Sequence, residues 1–237
     1  MNEQTSTWLP HLLEIRRRLL WTFGVIGVLF LGLFYFANTL YDWLAAPLLH
    51  FLPTGHLIAT QVAAPFLTPM KLSGLCALLL GIPVLLYQVW AFVAPGLYPN
   101  ERRLWPVLLI CSALLFYAGI AFAYFLVLPL VFGFFVQAAP INVAVMTDMS
   151  AYLDFVTRLL FGFGMAFEVP IITFVLAHSG IVTVGTLKKQ RPYIIIGAFT
   201  LGMLLTPPDV FSQTLLALPM WGLFELGVWM AAKNKST

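Results

Sequence analysis

Glu14 and Glu101 each stand beside a run of arginines, in Glu14-Ile15-Arg16-Arg17-Arg18 and in Glu101-Arg102-Arg103. Either carboxylate alone is explained by an ion pair with an arginine three or four residues on, or by a place at a helix N-terminus. Two of them at one membrane face allow more. Carboxylates take guanidinium groups bidentately, so the pair could jointly hold a ligand that carries arginines. Glu168 offers different chemistry. It stands in Phe167-Glu168-Val169-Pro170, inside an apolar run, where an ionised carboxylate is costly and must face protein or water. Pro170 leaves the Ala166 carbonyl without its helical donor, and Gly162 and Gly164 loosen the same stretch. A polar, bent point within a span is a functional candidate; the plainer alternative is a carboxyl hydrogen-bonded to a neighbouring helix.

The remaining polar residues narrow the chemistry. His11, His50, His56 and His178 have no metal-ligand spacing, and there is no P-loop or GxSxG motif. No Ser/His pair or GxGD aspartate motif of an intramembrane protease is present, so no enzyme, metal or cofactor is predicted. Asp148 or Ser150 is expected to N-cap the helix that follows. Asp154 and Arg158 are spaced for an ion pair on one helix face. Asp209 and Gln213 open the last apolar run, and Glu225 lies further along it. Cys76 and Cys111 are read as small packing residues.

These groups sit in a chain built for a bilayer. Of 237 residues, 61% are hydrophobic and only 9% charged, with a mean hydropathy of +0.95. A soluble domain carries about 25% charged residues, so soluble, nucleic-acid-binding and disordered classes are excluded. Long unbroken runs favour helices over the short alternating strands of a barrel. The expected fold is all-α: a single integral membrane domain over residues 1–237, with six transmembrane helices. An interfacial helix is expected at about 8–18, and spans at about 19–41, 70–92, 104–128, 151–178, 192–206 and 212–231. Residues 42–69 are read as an apolar connection lying on the membrane face.

All lysines and arginines except Lys71 and Arg158 fall in the N-terminal segment, the 95–103 loop, the 180–191 loop or the C-terminal tail. The positive-inside rule then places both termini in the cytoplasm. Trp21, Trp43, Trp90, Trp105 and Trp229 lie near span ends, as an interfacial aromatic belt requires. Fifteen helical residues rise only about 22 Å, short of the roughly 30 Å hydrocarbon core. The fifth and sixth spans are therefore both read as short, the sixth also carrying Pro219, so the pair should form a recessed, concave side of the bundle that thins the bilayer.

The motifs taken together resemble the TatC family, the multispanning receptor subunit of twin-arginine protein translocation. The resemblance rests on His11-Leu12-Leu13-Glu14-Ile15-Arg16-Arg17-Arg18, on Tyr87–Tyr98 with Glu101-Arg102-Arg103, and on Phe167-Glu168-Val169-Pro170. It extends to Lys188-Lys189-Gln190-Arg191-Pro192-Tyr193 and Leu205–Gln213, in order along nearly the whole chain. It implies binding of Arg-Arg signal peptides of folded cargo at the cytoplasmic face. Glu14 and Glu101 would make that contact, with Phe92, Pro95, Gly96, Leu97 and Arg16 around them. Glu168 would be the intramembrane polar position. Gln213, Asp209, Pro47, Phe116 and Tyr124 would serve docking of single-span TatA-like and TatB-like partners. Self-association, a bacterial cytoplasmic (inner) membrane location and transport driven by the proton-motive force are implied too. The competing class is a proton-coupled small-solute secondary transporter, with Glu168 as its coupling carboxylate. Arg158 has no counterpart in the family pattern.

Overall fold

The computed structural model describes residues 4–49, 56–93, 105–138, 140, 146–206 and 210–234. Pro95, Gly96, Leu97, Glu101 and Asp209 lie outside them. The described residues form ten α-helices: α1 (Gln4–Phe34), α2 (Ala37–Leu49), α3 (Ala64–Val93), α4 (Trp105–Phe122), α5 (Leu128–Gln137), α6 (Met149–Ala166), α7 (Val169–His178), α8 (Val184–Lys189), α9 (Arg191–Leu205) and α10 (Val210–Asn234). Five stretches are long and apolar enough to cross a membrane: Arg16–Phe34, Ala64–Ala91, Pro106–Gln137, Met149–His178 and Val210–Lys233. Arg191–Leu205 is a further, shorter apolar helix, whereas the last span, Val210–Lys233, is full length at 24 residues: the expected shortness of the sixth span does not hold, because α10 continues through Pro219.

Four segments depart from the expected boundaries, each for a local reason. The interfacial helix is not separate. Arginine and leucine are good helix formers, no proline interrupts residues 11–34, and α1 runs unbroken into its span before turning at Tyr35-Phe36. Residues 37–49, read largely as connection, form α2. Tyr41, Ala45 and Leu48 recur at i, i+4 and i+7 and are buried, so the segment has one packed face. The third span extends beyond 128. A π-turn over Ala123–Val127, in which the Leu128 amide reaches the Ala123 carbonyl, carries the helix past Pro129 to Gln137. The fourth span is broken. α6 ends at Ala166, the Glu168 amide bonds the Met165 carbonyl three residues back at 3.1 Å, and α7 starts with Pro170 in its first turn.

Pro47 in α2 and Pro83 in α3 each orphan a carbonyl, and a tyrosine from the α4 region answers both. The Tyr124 hydroxyl donates to the Trp43 carbonyl at 2.7 Å, four residues before Pro47. The Tyr117 hydroxyl donates to the Leu79 carbonyl at 3.0 Å, four residues before Pro83. The core lies where α4, the π-turn and α6 meet, around Phe116, Val127, Tyr152, Val156 and Phe163. Gly119 sets how closely α4 and α6 approach: a Cβ there would lie 2.6 Å from the Phe163 carbonyl oxygen. α10 packs on α7 and α9, and α1 packs on α3 while leaving most of its span exposed.

On the side of the α6 N-terminus, Asp148 ties two segments together. Its Oδ1 caps α6 by accepting from the Ser150 and Ala151 amides at 2.9 and 3.0 Å. Its Oδ2 accepts from the Thr60 amide at 2.9 Å and the Thr60 hydroxyl at 2.7 Å. Ile58 pairs alongside, its amide on the Thr147 carbonyl and its carbonyl accepting from Met149. These donors hold the Asp148 carboxyl down at about 2, with the Ala151 amide the largest contribution and Thr60 next.

Candidate functional site

Glu14 lies on α1 with its side chain 57% exposed. Arg18, one turn on, donates through Nε at 3.1 Å and Nη2 at 2.6 Å, both to Oε1. Oε2 is left without a partner among the described residues. Arg18 also donates from Nη1 to Gln88 Oε1 on α3 at 3.2 Å, which cross-links the two helices. The expected local ion pair of Glu14 therefore exists, yet it occupies half of the carboxylate. Arg16 and Arg17 are exposed beside it. Phe92 falls in the last turn of α3; its side chain, like Glu101 and Pro95-Gly96-Leu97, lies outside what the structure describes. Below Arg18 and Gln88 a groove of about 470 Å³ runs between α1 and α3, lined by Thr22, Phe23, Ile26, Leu78, Leu85 and Val89.

Glu168 is 6% exposed, at the α6–α7 break. Its Oε2 accepts from the Ser112 hydroxyl of α4 at 2.7 Å, and that hydroxyl accepts from the Trp90 indole N–H of α3 at 3.2 Å. Oε1 is buried with no hydrogen-bond partner among the described residues. A three-helix polar chain thus ends on an acceptor that can still take a donor. Trp90 departs from the belt expectation: it is 8% exposed, because Ser112 satisfies its N–H in the interior, whereas Trp21, Trp43 and Trp229 are exposed.

Gln213 is half-buried near the start of α10, beside Gly202 of α9, where an added Cβ would lie 3.4 Å from the Gln213 carbonyl oxygen. Pro47 and Tyr124 belong to one structural unit through Trp43. Phe116 is buried, its ring against Gly164, so it holds α4 on α6 and presents nothing to a partner. Asp154 and Arg158, expected to pair, make no ion pair; both are exposed. At the other end of the bundle Arg191 of α9 meets Glu225 of α10 at 2.6 Å.

Glu14 with its local arginine partner and Glu168 stand out in the sequence, whereas the partners across helix interfaces, Gln88 for Arg18 and Ser112 with Trp90 for Glu168, do not. Ser112 had a signal of its own, as a hydroxyl deep in an almost wholly apolar run. Gln88 had none, since an amide near a span end is ordinary.

Residues 10–219 match the family model described as Sec-independent protein translocase protein (TatC). The TatC protein of Azotobacter chroococcum mcd 1 is 54% identical over 233 residues, covering 98% of this chain and 91% of the relative. The TatC protein of Escherichia coli K12 is 54% identical over 230 residues, covering 97% and 89%. A crystal structure titled as the twin arginine translocase receptor TatC superposes with a TM-score of 0.83 at 35% identity, covering 95% of this chain and 99% of that one. The small-solute transporter reading of Glu168 gives way to these likenesses. Sequence and superposition converge, and the chain belongs to the TatC family of Sec-independent protein translocase proteins.

Proposed function

We propose that this chain reads twin-arginine signal peptides at the cytoplasmic face of a bacterial inner membrane, with six spans and both termini in the cytoplasm. The observation that carries the reading is Glu14, exposed, held by Arg18 through one oxygen only, at the mouth of an apolar groove. Oε2 takes one guanidinium of the signal and Glu101 takes the other, with Arg16, Phe92 and the Pro95-Gly96-Leu97 turn flanking them. The signal's apolar stretch lies in the groove between α1 and α3. Each charge-assisted bond contributes about 1.5–3 kcal/mol. Lysine cannot make the bidentate contact, so Arg-Arg outcompetes Lys-Lys.

The rest of the machine is built around that contact. α9 is shorter than the bilayer core, so the membrane thins beside it, and Glu168 supplies a polar point in the same half of the bundle. Single-span TatA-like and TatB-like partners dock near Gln213 and Asp209, where α9 and α10 begin their tight approach. Pro47 and Tyr124 keep α2 in shape for the assembly. Copies of this chain associate with one another in the complex, and the proton-motive force drives export.

The test is peptide binding to the purified chain in nanodiscs. An Arg-Arg signal peptide should bind about tenfold or more tightly than its Lys-Lys version, and Glu14→Ala or Glu101→Ala should each erase the difference. Equal binding of both peptides, indifferent to the two carboxylates, would remove this reading.

A further inference from the structure

Arg158 is a cation on the membrane-spanning part of α6, exposed, and without an ion-pair partner among the described residues. Asp154, one turn away on the same helix, does not reach it. A charged side chain facing the hydrocarbon is expensive unless something answers it. The guanidinium lines a groove of about 550 Å³ between α6 and α9, whose floor and walls are carbon: Gly162, Met165, Gly197 and Leu205, with Tyr193 at the far end.

The depth of Arg158 follows from its neighbours. A Cβ on Gly162 would lie 2.6 Å from Leu205 Cδ1, so Gly162 is level with the last residue of α9. Arg158 lies one turn nearer the α6 N-terminus, about 6 Å beyond the end of that short helix. Side chains on a helix lean toward its N-terminus, which carries the guanidinium further out. The bilayer must thin to match α9, so the headgroup layer comes down toward Arg158.

We propose that this groove is a phospholipid site: Arg158 takes the phosphate of a lipid in the leaflet at the α6 N-terminus, and one acyl chain lies along α9 toward Tyr193. Charge and length favour a phospholipid: the groove offers one cation at headgroup depth and carbon along about 18 Å from Leu205 to Tyr193, the pattern of a phosphate with an acyl chain behind it. A bidentate guanidinium suits a phosphate, and no other fixed cation lines the groove.

Native mass spectrometry of the full, delipidated chain, titrated with dioleoyl phosphatidylglycerol, tests this. One lipid per chain should be retained, and Arg158→Gln should weaken retention about tenfold. Gly197→Leu should do the same by filling the groove, since a Cβ at Gly197 meets nothing within 4 Å and the fold tolerates it. Dioleoylglycerol, lacking phosphate, and glycerol phosphate, lacking chains, should each fail to compete. Equal retention in wild type and both variants would overturn the site, as would full competition by glycerol phosphate. A photo-cross-linker at position 197 that captures a membrane protein instead of lipid, in native membranes, would overturn it in favour of a protein partner.

Discussion

Tyr124 sits where Pro47 leaves a gap: its hydroxyl donates at 2.7 Å to the Trp43 carbonyl, the acceptor that an amide at position 47 would have used. The two residues are one device. Proline removes a helical donor from α2, and the tyrosine of the π-turn supplies one to the freed carbonyl. Tyr117 and Pro83 repeat it on α3.

Tyr124→Phe should therefore destabilise the chain by about 0.5–1.5 kcal/mol, the net worth of one hydrogen bond at an exposed site. Pro47→Ala in the same chain restores a helical donor to Trp43, so the double variant should lose less than the sum of the singles. Unfolding of the four proteins in detergent checks it; simple additivity would show that the two residues are independent.

Ser112→Ala should strand two groups at once, the Trp90 indole N–H and Glu168 Oε2, which has no other donor among the described residues. We expect a loss of about 1–3 kcal/mol and a change in Trp90 fluorescence. Ser112→Thr, which keeps the hydroxyl, should retain most of the fluorescence signature. An unchanged spectrum in Ser112→Ala would mean that the polar chain is not formed in the membrane.

Gly119→Ala should push α4 from α6. Its Cβ would meet a backbone oxygen at 2.6 Å, and backbone cannot swing aside as a side chain can. The expected cost is about 1–3 kcal/mol, read as a lower unfolding temperature. Gly24→Ala is the control, with nothing within 4 Å of its Cβ, and should change little.

The Asp148 clasp should be acid-labile in a defined window. Its carboxyl is lowered in the fold from 3.8 to about 2, so its stabilisation is complete above 3.8 and is lost as pH falls through about 2. Amide exchange at Thr60, Ser150 and Ala151 should accelerate across that interval. Asp148→Asn should exchange faster at neutral pH and lose the acid step; a variant that keeps the step would assign it to another group.

The helical class and the short α9 were legible because each depends on residue type and run length alone, and Glu14 and Glu168 stood out by residue type. The helical state of 37–49 was not, since it turns on packing against α3 and α5; the continuity of α1 rests on propensity and the lack of a proline, and was hidden by the amphipathic pattern of residues 8–18. Trp90 misled for a related reason. Its place near a span end is the place of a belt residue, and only the presence of Ser112 across the helix interface draws it inward. The break at Phe167-Glu168 was half visible. Pro170 announced a bend, yet the 3₁₀-type bond from Glu168 to Met165 that ends α6 is a matter of tertiary fit.

The pairing of residues 58–60 with 147–149 has a bearing on how the chain is made. The two partners are separated in sequence by α3, α4 and α5. Synthesis delivers the N-terminal part first, and a contact of such long sequence separation must wait for its second half. Until α6 emerges, Thr60 and Ile58 have no acceptor there, and α2 lacks the Tyr152 hydroxyl that reaches the Leu44 carbonyl at 2.6 Å. The nascent chain thus passes through a stage in which its earlier membrane helices are threaded and the clasp at the α6 N-terminus is still open, and arrival of the fourth long span is the event that shuts it.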